Sequence, residues 1–199
     1  MRRLAAVIIL ILFTVTSYAQ ECWSWKIDNR FDNITAFSNG IARAKEAGGL
    51  WGYITKKGEW LIEPRFVQCT NFSDGRANAA VKDDKGKTLF GIIDIEGSWI
   101  VEPRFGSIGT FTGGRAIASL NGKYGYIDES GTWIIAPAYD KLSTFSEGVA
   151  MAELNGKIGF INIKGEWVVE PRFEAARPAS GGLILVKEDG KWGVIEILK

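Results

Sequence analysis

The chain contains no histidine. Every mechanism that needs an imidazole, His-dependent triads and His-ligated zinc among them, is therefore excluded. Cysteine is almost as scarce: only Cys22 and Cys69 are present. An oxidising compartment would permit a bridge between them, but two separate small apolar residues fit the sequence equally well. Charge of one sign is also lacking. Lys and Arg number 24 and Asp and Glu 23, or 22 against 23 once Arg2 and Arg3 are set aside. A near-neutral chain gives no footprint for nucleic acid or an anionic membrane surface. No phosphate-cradling glycine loop, nucleophile elbow or metal-ligand cluster occurs, so no cofactor is expected.

The longest apolar run is short as well. Leu4 to Val15 is broken only by Thr14, and a permanent membrane span needs about 20 apolar residues. Met1-Arg2-Arg3 before it and Ser17-Tyr18-Ala19 after it make a positive head, an apolar stretch and a small-residue cleavage site. Residues 1–19 thus read as a signal peptide cut before Gln20. Glu21 stands where a lipoprotein cleavage box before Cys22 would need a small residue. The expected product is a single domain, 20–199, exported to the periplasm or the cell exterior, with no membrane span of its own. At that length it can bury a real core.

What the chain has in plenty is glycine, 24 residues in 199, and tryptophan, eight residues. Both recur in register. Phe37-Ser-Asn-Gly40, Phe72-Ser-Asp-Gly75, Phe111-Thr-Gly-Gly114 and Phe145-Ser-Glu-Gly148 are copies of one motif, weakened at Ala179-Ser-Gly-Gly182. A bulky residue plus Gly follows each: Trp51-Gly52, Phe90-Gly91, Tyr124-Gly125, Ile158-Gly159, Trp192-Gly193. Those glycines are 39, 34, 34 and 34 residues apart. Each unit then has Trp60, Trp99, Trp133 or Trp167 and closes on Glu63-Pro64-Arg65-Phe66, Glu102-Pro103-Arg104-Phe105, Ala136-Pro137-Ala138-Tyr139 or Glu170-Pro171-Arg172-Phe173.

A 34-residue period also suits helical arrays, but the local chemistry here is that of hairpins. Asn121-Gly122, Asn155-Gly156 and Asp189-Gly190 separate alternating apolar runs, and a type I′ turn needs two positive φ values in a row. Asp94-x-x-Gly97, Asp128-x-x-Gly131 and Asn162-x-x-Gly165, with Thr55-x-x-Gly58 as a weaker version, carry type I turn chemistry. The unit is thus expected to be three short antiparallel strands: an Ala-x-Ala strand, a second such as Tyr124 to Asp128, and a third from Trp133 to Ala136 that the following proline stops. The Phe66 to Phe72 type of segment is the place for a fourth, outer strand. The chain is expected to be all-β.

Ser24-Trp25-Lys26-Ile27 with Arg30-Phe31-Asp32 matches Thr132-Trp133-Ile134-Ile135 with Ala138-Tyr139-Asp140 at an offset of 108. One third strand therefore precedes the first complete unit, while Lys191 to Lys199 follows the pattern of a second strand with no third. The expectation is a closed five-bladed propeller-like ring in which that early strand completes the last sheet and Trp25 lies near Trp192. An open β-solenoid is the alternative. Tight Ala-x-Ala strands suit the crowded centre of a ring.

The equivalent Trp25, Trp60, Trp99, Trp133 and Trp167 are expected to share one packing task; a sugar-stacking platform is the competing use. Glu63 with Arg65, Glu102 with Arg104 and Glu170 with Arg172 are replaced together by Ala136 and Ala138, which suggests that they interact. Paired carboxylates for glycoside hydrolysis would be unique positions, not repeated ones; Asp83 with Glu153 is the non-repeated pair to watch. The five extra residues around Lys82 to Thr88 suggest a longer hairpin loop, a candidate for recognition, though two aspartates are too few for calcium. Trp23 is the one tryptophan outside the register, suited to an exposed site or to plugging a ring.

The unit F-S-x-G…G-K-x-G-[YF]-I-[DN]-x-x-G-x-W-[IV]-[IV]-x-P-x-[FY] resembles the bacterial WG repeat, also called the KWG repeat, over residues 25–199. The resemblance implies an often exported, β-rich repeat protein with no common activity and no catalytic residues to carry over. The functional expectation is a non-enzymatic scaffold that binds another protein or a cell-envelope glycan. Self-association, or a carboxylate-dependent glycoside hydrolase, stands behind it. No ligand-binding residue is singled out.

Overall fold

The computed structural model describes residue 24 and residues 26–197. The expected leader at 1–19, Cys22, Trp23 and Trp25 lie outside the described residues.

The described chain is a run of antiparallel meanders with no α-helix. The first sheet has β1 (Asn33–Ile34), β2 (Ile41–Lys45), β3 (Trp51–Thr55) and β4 (Trp60–Phe66). The second has β5 (Gln68–Cys69), β6 (Ala77–Lys82), β7 (Thr88–Ile93) and β8 (Trp99–Phe105). The third has β9 (Ser107–Ile108), β10 (Arg115–Leu120), β11 (Lys123–Asp128) and β12 (Trp133–Tyr139). The fourth has β13 (Lys141–Leu142), β14 (Val149–Leu154), β15 (Lys157–Asn162) and β16 (Trp167–Phe173). The fifth has only β17 (Ala175–Ala176), β18 (Leu183–Glu188) and β19 (Lys191–Glu196).

The turns follow their residues. Asn121, Asn155 and Asp189 sit at φ 52°, 53° and 50°, each before a glycine at 74–80°, which is the type I′ geometry. The F-S-x-G motif is a second such turn: Ser73 and Arg76 exchange both backbone bonds across Asp74-Gly75. Gly97 donates to the Asp94 carbonyl at 3.0 Å and Asp94 to the Ser98 carbonyl at 2.9 Å. Gly97 therefore needs its φ of 85°, which a residue with a Cβ tolerates poorly.

Two expectations need correction. The short strands β1, β5, β9, β13 and β17 pair with the Ala-x-Ala strands, so the three-strand unit gains the fourth strand expected in the Phe66 to Phe72 type of segment, but on the edge opposite the tryptophan strand. The proline does not stop the tryptophan strand either. β4 continues through Pro64 to Phe66, because the pairing slips between Tyr53↔Ile62 and Trp51↔Phe66. Glu63-Pro64-Arg65 forms the bulge at an edge, where a missing N–H costs no ladder bond.

The core lies between successive sheets. Tyr53, Ile62 and Phe66 of the first pack on Ala77, Ala79 and Ile93 of the second. Ile92, Val101 and Phe105 meet Ala116, Ala118 and Ile127 in the same way, and Tyr126, Ile135 and Tyr139 meet Ala150, Ala152 and Ile161. The alanines are small because an aromatic residue of the preceding sheet lies against them. Closure of the five sheets into a ring is not seen: β19 pairs with β18 alone, and no pairing joins the fifth sheet to the first among the described residues.

Candidate functional site

The first three junctions between sheets share a design of three pieces. The tryptophan ring covers the glycine of its own sheet, and a Cβ on Gly52 would come within 2.9 Å of Trp60. An aromatic residue of the preceding sheet meets that ring edge-on, with centroids 5.8 Å apart for Phe66–Trp99, 5.4 Å for Phe105–Trp133 and 5.5 Å for Tyr139–Trp167. Such pairs contribute about 0.5–1.5 kcal/mol beyond their buried area. Finally, Arg65 donates to the Gly97 carbonyl and Arg104 to the Gly131 carbonyl, the latter at 2.9 Å.

That last bond corrects the expected glutamate–arginine pairing. Neither Glu63 nor Glu102 forms an ion pair with its arginine; both are exposed, and the arginines serve the next sheet's turn. Where Ala138 replaces the arginine, the Tyr139 hydroxyl donates to the Gly165 carbonyl at 3.0 Å. Arg172 instead pairs with Glu188, at 2.7 Å.

The loop at 82–88 is no extended arm. Asp83 Oδ1 accepts from Lys85 and Lys87 nitrogens, both at 2.9 Å, and Gly86 donates back to the Asp83 carbonyl. The insertion thus repeats the tight turn of Asp94 and uses the Asp83 carboxylate to hold it. Asp83 and Glu153 are not brought together: Asp83 is bound within its turn, and Glu153 pairs with Lys141 at 2.9 Å in the fourth sheet. Among the described residues no group of three Cys, Asp or Glu side chains could hold a metal ion.

A polar cleft lies between the second and third sheets. It has a volume of about 280 Å³ and is lined by Thr70, Asn71, Asp74, Arg76, Phe111 and Glu129 among others. Arg76 reaches across to pair with Glu129, and their side chains remain 40% and 46% exposed. Under the cleft, Asn78 is buried and donates Nδ2 to the Ile108 and Gly109 carbonyls at 3.3 and 3.1 Å. At its edge Arg43 donates Nε to Asn71 Oδ1 at 2.8 Å and Nη1 to the Cys69 carbonyl at 2.6 Å. The register position of Arg76 holds Ile41, Arg115, Val149 and Leu183 in the other sheets, with Arg115 donating to the Ile163 carbonyl at 3.3 Å, and that of Arg43 holds Asn78, Ile117, Met151 and Leu185. Sequence reading missed Arg76, Asn78 and Glu129; aligning the Ala-x-Ala strands residue by residue would have shown Asn78 opposite Arg43, Ile117, Met151 and Leu185.

None of these groups is tuned for nucleophilic chemistry. Burial pushes the Cys69 thiol up, which depletes the thiolate a nucleophile needs. Burial likewise raises the Tyr53 and Tyr126 hydroxyls, which donate to the Thr70 and Ser143 carbonyls. Asp128 is lowered by hydrogen bonds from the Ser130 hydroxyl and from the Thr132 and Ser130 backbone, all within its own turn.

The five-fold recurrence extends to known proteins: residues 25–49, 51–86, 90–124, 124–157 and 158–192 match the WG containing repeat. The chain belongs to the WG-repeat family. Among solved structures this WG-repeat chain is similar to the computationally designed Ika8 protein, at 16% identity and a TM-score of 0.43, over 82% of this chain and 58% of that one. It is similar to the computationally designed Ika4 protein at 17% identity and 0.42, over 73% and 99%. For BamB from Moraxella catarrhalis the values are 14% and 0.46, over 80% and 56%. The WG-repeat chain thus spans little more than half the length of Ika8 and BamB. No curated protein matches it.

Proposed function

We propose that this WG-repeat chain is an exported, non-enzymatic scaffold that meets another protein through the polar cleft between its second and third sheets. One observation carries the reading. Arg65, Arg104 and Tyr139 are spent on holding neighbouring sheets together, whereas Arg76 and Glu129 stand half exposed in the cleft between the second and third sheets. An exposed ion pair contributes only about 0.2–1 kcal/mol to folding, so a partner can compete for either charge at little cost in stability. Residues 1–19, with the pattern of a leader, support export.

The arrangement does not favour the glycan reading, because Trp60, Trp99, Trp133 and Trp167 each have an aromatic edge against the ring and are not open platforms. We read the array as open, since no strand pairing joins the fifth sheet to the first. Capture from envelope extract on the immobilised full chain tests the function. A protein retained by the wild type and lost with Glu129→Arg supports it. Equal retention by both, or turnover of an envelope glycan, overturns it.

A further inference from the structure

The fifth sheet differs from the other four at its last edge. In the first four, the third strand pairs with a tryptophan strand; among the described residues β19 has no such neighbour. Gly193 records the vacancy. A Cβ on Gly52 would lie 2.5 Å from the Ile62 carbonyl oxygen, and Gly91, Gly125 and Gly159 face the carbonyls of Val101, Ile135 and Val169 just as closely, yet no described residue lies within 4 Å of the Cβ position of Gly193. The side-chain face is bare too. Val194 is 61% exposed, whereas Tyr53, Ile92, Tyr126 and Phe160 at its register are 0–2% exposed. Leu183, Leu185 and Trp192 join it in one apolar face. A long apolar edge strand left unpaired is a template for another strand.

The opposite end carries a segment placed like a tryptophan strand. Ile27 lies 2.8 Å from the Cβ position of Gly58, as Ile135 lies 2.9 Å from that of Gly165. Arg30 donates to the Gly58 carbonyl, the bond that Arg104 makes to Gly131. Phe31 meets Trp60 edge-on at 5.4 Å, as Phe105 meets Trp133. Residues 27–31 therefore already hold one side of a junction, in the register of a tryptophan strand, with no strand paired to them among the described residues.

We propose that the free edge of β19 and the apolar face of Leu183, Leu185, Trp192 and Val194 take residues 27–31 of a second copy of this chain as their fourth strand, joining copies head to tail. The join would reproduce the design of the first three junctions: strand pairing to β19, an isoleucine carbonyl over Gly193, and the arginine and phenylalanine clasp onto the second copy's first sheet. A second copy is favoured over the chain's own head because Val194 stays bare in the single chain. Bending the array to bring its ends together would also have to strain four close-packed junctions. The contact is heterologous, so it builds rings or filaments of copies rather than one symmetric pair. It is independent of the cleft between the second and third sheets.

Sedimentation velocity of the full chain, expressed for export, tests this at two concentrations. The wild type is expected to grow by about twofold or more in average mass on concentration. Gly193→Ala adds a methyl where the structure has open space and is expected to stay monomeric with an unchanged circular dichroism spectrum and melting midpoint. Ile27→Asp spoils the head and leaves the tail intact, so it is also expected to be monomeric. Mixed in equal amounts, the two variants are expected to form a dimer and nothing larger, because one competent head and one competent tail remain. A wild type monomeric at both concentrations overturns the proposal. If the melting midpoint of monomeric Gly193→Ala also drops sharply, the chain's own head fills the edge as a ring. Self-association that persists in Ile27→Asp alone overturns it as well, since tails would then meet tails.

Discussion

The Tyr139 hydroxyl donates to the Gly165 carbonyl at 3.0 Å, taking over the acceptor position that arginine serves elsewhere. Arg30, Arg65 and Arg104 donate to the equivalent carbonyls of Gly58, Gly97 and Gly131. The one junction whose arginine is replaced, by Ala138, is the one whose phenylalanine has gained a hydroxyl. The constraint is on the carbonyl, a half-buried acceptor that must be met, and two different side chains meet it.

Tyr139→Phe is therefore expected to lower the stability of the chain by about 0.5–1.5 kcal/mol, the usual net worth of such a bond. Adding Ala138→Arg to that variant is expected to recover most of the loss, because it restores the pair found at the other junctions. Urea midpoints of the wild type, single and double variants measure both steps. Failure of the arginine to rescue would separate the hydroxyl from the carbonyl's needs.

Gly125→Ala is expected to destabilise by about 1–3 kcal/mol, since the new methyl would overlap the Ile135 carbonyl and crowd Pro137 in a packed junction. Gly122→Ala, at a turn with nothing within 4 Å, probes the backbone alone, where φ is 80°. Comparing the two unfolding curves separates close approach from conformational strain.

Asp128 accepts from Ser130 and Thr132 nitrogens at 2.9 Å each and from the Ser130 hydroxyl at 2.6 Å. Those bonds favour the charged form and lower the folded-state pKa. Their stabilisation is therefore complete above the unfolded value, about 3.9, and is lost as pH falls through the lower folded value. Asp128→Asn is expected to flatten that part of the acid profile while keeping the turn, because Asn162 makes the same bonds to Lys164 and Glu166 nitrogens at 2.9 and 3.1 Å. Thermal midpoints between about pH 3 and 5 read the difference.

Asn78→Leu is expected to cost about 1–3 kcal/mol, because it strips the donors from the Ile108 and Gly109 carbonyls that the third sheet's edge presents. Hydrogen exchange should quicken at β9 ahead of the other edge strands. Uniform loss across all five sheets would mean that Asn78 supports the whole array, not one junction.

The repeat, the all-β class, the hairpin turns and the family were legible in the chain, because each depends on local chemistry copied five times. Asn121-Gly122 demands positive φ whatever surrounds it, and a 34-residue spacing of such turns leaves room for short strands only. The partners of the copied side chains were not legible in the same way. Glu63 and Arg65 are two residues apart and of opposite charge, yet the arginine belongs to Gly97, thirty-two residues onward. Pro64 looked like a stop and is a bulge, since an edge strand has no bond there to lose. The cleft was hidden because Arg76, Asn78 and Glu129 are ordinary residues until β6 and the β11–β12 turn lie side by side. Local conformation follows from each residue's own sterics and donors. Which side chain answers which carbonyl, and whether an edge stays open, was decided only by how one sheet stacks on the next.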